Sequence, residues 1–194
     1  MSEREVPVGG DFNRIFDHQD YLAMISIPDE ATCVLRAHLI LEEVLNVWGA
    51  KITGTEDLYA GAFVPFKTKL VIAKNLGLDA DLFKLLNKIN EIRNRFSHRK
   101  GHELEDSLID SLKDQVNNAV PGAQVSPCES LHAFVSGKNA EGERVEKKYT
   151  WADSDNRVKF VIIFVAAILK ITGWIQKEFN RRNIQFTLIS TIDH

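Results

Sequence analysis

The chain has 194 residues, 44% of them hydrophobic and 26% charged, which supplies one well-buried core and leaves little room for a second full domain. A net charge of -3 excludes a protein that coats nucleic acid through its overall charge, so any contact with RNA or DNA must use a local patch. Cys33 and Cys128 stand without a Cys-x-x-Cys pair or a partnered histidine spacing, and read as two reduced, buried thiols instead of a disulfide or zinc site.

Residues 1–27 mix charges, Gly9, Gly10 and a few aromatics, and predict an N-terminal arm or short helix closed by Pro28. The start lacks the basic residues and continuous apolar run of a signal peptide. Asp29 sits where an N-cap belongs. Val34, Leu35, His38, Leu41, Val44, Leu45 and Trp48 then recur at three and four, which predicts an amphipathic core helix ending at Gly49. A second helix is predicted from Pro65 to Leu76, with Gly77 at the position after its last turn. The third begins near Asp79 or Asp81, turns Leu82, Leu85, Leu86, Ile89, Ile92 and Phe96 inward, and reaches His98 before Gly101 breaks it. A fourth, from about Glu103 to Val120, buries Leu104, Leu108, Leu112 and Val116 and stops before Pro121-Gly122.

Residues 121 to about 152 change to Pro, Gly, Ser and charged residues, an insertion with a candidate hairpin in which Leu131 to Val135 faces Arg144 to Tyr149. The last helix is expected from about Asp153 to Asn183, followed by a tail over 184–194. Its run from Val158 to Leu169 is the most apolar in the chain, but Lys159 and Lys170 interrupt it before the ~20 residues that a membrane span requires. The expectation is therefore an all-α, up-and-down bundle of four to five main helices over residues 28–183, with a loop or small hairpin inserted at about 121–152. It is expected to be cytoplasmic and free of the membrane.

The hexapeptide Arg93-Asn94-Arg95-Phe96-Ser97-His98 gathers a fixed cation, an amide and a titratable imidazole within about two helical turns. Asn94 and His98 are four apart and share a helix face; Arg93, about 100° round from Asn94, has the reach to point at the same spot. The expected arrangement is convergence on one anion. Metal-free RNA cleavage needs a base for the ribose 2′-OH, a cation for the crowded phosphorane and an acid for the leaving 5′-oxygen. His98 can accept or give a proton near neutral pH, Arg93 offers a fork of donors to phosphate oxygens, and Asn94 can orient His98 or bond the phosphate. Lys84, Lys88, Arg93, Arg95, Arg99 and Lys100 form a basic patch suited to salt-dependent backbone binding, with Lys88, Arg95, Arg99 and Lys100 the candidate RNA contacts. Glu103, Glu105, Asp106 and Asp110 follow at once, and basic residues at a helix end also oppose its macrodipole. A phosphate site and a solvated helix terminus both remain open on the residues alone.

An Arg, a polar residue after it and a His five positions on, late in a helix of an all-helical chain, resembles the HEPN superfamily, which includes ribonuclease toxins and inert regulatory relatives. The Lys-Leu-x-x-Ala-x-x-Leu-Gly-Leu run over 69–78, leading into Arg93 and His98, is similar to the mannitol operon repressor branch, as is the layout of Arg36 to Asn46 with Leu41, Glu42, Glu43 and Leu45. The resemblance spans roughly residues 30–120. It implies a HEPN-like bundle, a homodimer and a metal-independent endoribonuclease of toxin or defence type that uses no cofactor, with an antitoxin or other regulatory protein as partner. It assigns catalysis to Arg93, His98 and, as an assistant, Asn94, usually in a site composite across the dimer. The repressor branch shares the Arg-to-His spacing without assured nuclease activity. A non-catalytic regulator or a helical protein-binding module is therefore the alternative.

The remaining candidates point to packing. His38 lies on an apolar face, where a satisfied core histidine is the expectation. His98 and His102 are four apart, but Lys100-Gly101 interrupts the helix and no third ligand follows, so no metal site is assigned. Glu42 and Glu43 point about 100° apart and suit ion pairs better than paired acid–base work. Trp48 and Trp174 sit on predicted helix faces, and no Gly-rich phosphate loop or nucleophile elbow occurs.

Overall fold

The computed structural model describes residues 9–98, 101–138 and 141–188, and among them the chain forms six α-helices and one two-stranded sheet. The order is α1 (His18–Ser26), α2 (Glu30–Thr53), α3 (Phe66–Asn75), α4 (Ala80–His98), α5 (Asp106–Asn118), β1 (Ala133–Lys138), β2 (Arg144–Tyr149) and α6 (Asn156–Arg181). This is the expected all-α bundle with a hairpin inserted before its last helix.

Aspartates start three of the long helices. Asp29 accepts from the Thr32 amide at 2.6 Å, Asp79 from the Leu82 amide at 3.1 Å and Asp155 from the Val158 amide at 2.8 Å, each satisfying a first-turn donor that the helix itself cannot. Helix α2 does not stop at Gly49, as its sequence suggested, but runs to Thr53 and closes on Gly54 in the left-handed conformation, φ 69°. Gly49 answers a packing need. A Cβ there would lie 2.9 Å from Leu58 Cδ2 and 3.2 Å from Tyr59 Oη, so the loop after α2 can cross the helix only where a side chain is missing.

Helix α2 is central, packing against α1, α3, α4 and α6. Leu41, Leu45 and Trp48 meet Leu82, Leu86 and Ile89 of α4 and Phe160, Phe164 and Ile171 of α6 in one fully buried core. Trp48 stacks on Phe179 at 5.7 Å, packs against Trp174 at 5.1 Å and donates its Nε1–H to the Ala73 carbonyl at 3.2 Å, which occupies its ring and its polar edge. Helix α6 is long and apolar enough to cross a membrane by length and composition, yet 72% of its most apolar window is buried inside the fold. Lys170 on that helix is itself buried. Its ammonium donates to the carbonyls of Val116, Asn117 and Ala119 at 2.8, 2.8 and 2.9 Å, ending α5 with a cation where the macrodipole is negative, while burial holds its pKa below the usual lysine value.

The first and last described segments pack against the body and against each other. Phe12 and Ile15 are fully buried, and the Gly9 amide donates to Leu188 and the Asp11 amide to Thr187, both at 3.1 Å. Lys51 fastens this junction through Asp11 at 2.8 Å and the Gln185 carbonyl at 3.2 Å. The hairpin pairs Ala133 with Tyr149 through Lys138 with Arg144, so its first strand starts two residues and ends three residues later than expected. Gly137 lies within β1, and the positive φ of 80° belongs to Gly142.

Candidate functional site

Helix α4 carries the motif past the C-terminal edge of the core, and its geometry separates the candidates. Arg93 is half-buried; its Nη1 donates to Asn94 Oδ1 at 3.0 Å, while its Nε is buried with no hydrogen-bond partner among the described residues. Asn94 is also half-buried, and His98, the last residue of α4, is exposed. Among the described residues His98 makes no hydrogen bond or ion pair. Five positions at about 100° each leave Arg93 and His98 about 140° apart around the helix. The structure thus brings Arg93 and Asn94 together and leaves His98 on the outward face it shares with Asn94. Convergence of all three within one chain is not what the structure presents.

The basic residues divide in the same way. Lys88 and Arg95, seven apart, form one stripe, whereas Arg95 and Arg93, two apart, point to opposite flanks. Lys88 is half-buried, Arg95 is exposed, and Lys84 is paired to Asp81 at 2.9 Å. Arg99 and Lys100 lie outside the described residues.

On its inner flank Arg93 adjoins a polar seam that the motif did not announce. One turn earlier, Asn90 is buried with its Oδ1 3.1 Å from Nε2 of His38, a residue only 1% exposed. An amide oxygen only accepts, so neutral His38 carries its proton on Nε2 and turns the Nδ1 lone pair toward Glu42, 3.9 Å away. Glu42 pairs with Lys69 at 3.5 Å, Lys69 donates to Asn46 at 3.3 Å and lies over the Tyr59 ring at 5.1 Å, and the Phe66 ring covers the imidazole at 4.4 Å. Burial, and then the positive charge of Arg93, push the His38 pKa below its ordinary 6.5 against a partial pull upward from Asn90 and Glu42. The sequence does carry a signal for Asn90: it continues the inward spacing Leu82, Leu86, Asn90, a polar residue where the stripe calls for an apolar one.

Around this seam the other candidates are accounted for by packing. Glu43 meets Arg14 at 3.7 Å. His102 packs edge-on against Phe96 at 4.8 Å, and the Leu104 amide donates to Glu30 at 2.7 Å, tying the segment after the motif to the start of α2. No group of three His, Cys, Asp or Glu residues suited to a metal occurs among the described residues. Burial raises the thiol pKa of Cys33 to about 12 and of Cys128 to about 11, which leaves both unreactive near neutral pH. A cleft of about 790 Å³ runs along the C-terminal half of α2, lined by residues such as Arg14, Asn46, Lys51, Tyr59 and Lys69; it borders the seam at Asn46, Tyr59 and Lys69 and does not include the motif. No family model, curated protein or solved structure matches this chain.

Proposed function

We propose that the chain is a metal-independent ribonuclease of the HEPN type, acting in toxin or defence systems as a cytoplasmic homodimer held in check by an antitoxin or another regulatory protein. The observation that carries this reading is the guanidinium of Arg93, seated beside Asn94 with a buried Nε donor that has no hydrogen-bond partner among the described residues, at the same helix end as the exposed imidazole of His98, which likewise has none among them. A fixed cation with donors to spare suits a phosphodiester.

In this mechanism Arg93 holds the scissile phosphate and stabilises the phosphorane, and Asn94 assists. Because Arg93 and His98 diverge within one chain, the site is composite across the dimer: one His98 takes the proton from the ribose 2′-OH, the 2′-oxygen attacks phosphorus, the P–O5′ bond breaks, and the leaving oxygen receives a proton from His98 of the other copy. The products are a 2′,3′-cyclic phosphate and a 5′-hydroxyl. Lys88, Arg95, Arg99 and Lys100 supply sequence-independent contacts to the RNA backbone.

A second reading, a non-catalytic regulator or helical protein-binding module, is favoured by the divergence of His98 from Arg93. There Arg93 serves the α2–α4 seam and His98 only ends a helix. Incubating the protein with total RNA and labelled tRNA in EDTA, beside His98→Ala, decides between them. Fragments with 2′,3′-cyclic ends from the unaltered chain alone support the ribonuclease; equal cleavage by both proteins, or intact RNA with both, sinks it.

A further inference from the structure

We propose that His38 is a positioning residue for Arg93: the imidazole, clasped between α2 and α4, sets the seat of the guanidinium and takes up a proton in step with an anion binding there. This rests on Arg93 as an anion site.

The geometry supplies both halves of the coupling. Asn90 and Arg93, three apart on α4, share a flank, so the residue that holds the His38 Nε2–H stands one turn from the guanidinium. At Nδ1 a lone pair faces the Glu42 carboxylate at 3.9 Å, an arrangement that wants a hydrogen between the two. A second proton on the ring would be met at both nitrogens, by Asn90 on one side and Glu42 on the other. What opposes it is burial of the ring together with positive charge. The groups facing His38 are Glu42 on α2, Phe66 and Lys69 on α3, and Asn90 and Arg93 on α4; of these Arg93 and Lys69 repel the proton, and Lys69 is already engaged by Glu42.

An anion on Arg93 removes the larger of those two repulsions, so it favours a proton on His38. Linkage makes the effect mutual: a protonated His38 tightens the anion by the same factor. The pair would bind a phosphodiester more firmly in mildly acidic solution without His38 ever touching it.

NMR of the full chain tests this, with inorganic sulfate as probe because it keeps its charge across the range in which histidine titrates. His98→Gln serves as the background, so that the exposed imidazole adds no pH dependence of its own. Sulfate is expected to shift the Arg93 Nε–H resonance, to move the His38 ring titration to higher pH, and to bind at least about fivefold more tightly with His38 charged than neutral. Arg93→Gln should raise the His38 midpoint without sulfate, whereas Arg93→Lys should leave it low. His38→Gln should abolish the pH dependence of sulfate affinity while keeping the affinity seen at high pH. A responding Arg93 with an unmoved His38, or an unmoved midpoint in Arg93→Gln, overturns the coupling and leaves the anion site standing. An Arg93 resonance indifferent to sulfate overturns the anion site and the coupling with it.

Discussion

The two flanks of α4 solve opposite problems with similar residues. On the inner flank Asn90 is tied to His38 of α2, Arg93 is half-buried beside Asn94, and both ring nitrogens of His38 face a partner, Asn90 on one side and the Glu42 carboxylate on the other. On the outer flank Lys88, Arg95 and His98 hold no partner among the described residues. The difference teaches that one helix can hold polar groups in place at the cost of burial on one side and leave charged groups free in solvent on the other.

Breaking the inner flank should have the largest effect. Asn90→Ala strands the buried Nε2–H of His38 and is expected to cost about 2 kcal/mol in urea unfolding, with the guanidinium of Arg93 less ordered as a consequence. A loss under a few tenths would show that the seam is wet and its hydrogen bond unimportant.

Acid should act on the same flank. Because the folded-state pKa of His38 lies below the unfolded value, the unfolded chain binds more protons between the two, so stability is complete above about 6.5 and falls as pH drops below it. Chemical unfolding along a pH series should show this decline in the unaltered chain and a flatter profile in His38→Gln. An identical slope in both would assign the decline to other groups.

The smallest effect on the fold and the most selective effect on function belong to the outer flank. Arg95→Ala is expected to leave stability within about 0.5 kcal/mol while lowering the salt dependence of RNA binding by about one unit of slope. If stability drops as it does in Asn90→Ala, the two flanks are not distinct in the way described.

Much of this was legible in the residues. Apolar spacing marked α2, α4, α5 and α6, because a helix with one wet side must repeat at 3.6, Pro65 and Gly77 marked the ends of α3, and Asp29 and Asp79 marked where α2 and α4 begin. The motif's place at the end of α4 followed from the same arithmetic. Gly49 misled, since a glycine required by a crossing loop and a glycine that ends a helix are the same letter.

What the order of residues by itself determined is local: which stretches are helical, the faces that must be buried, and the sharing of a side by Asn94 and His98. Tertiary structure alone decided which buried face met which. His38 and Asn90 are 52 residues apart, and Gly9 meets Leu188 from opposite ends of the fold. Such pairings arise when whole helices dock and their leftover polar groups must find one another, a choice made by packing and desolvation that no short window of sequence contains.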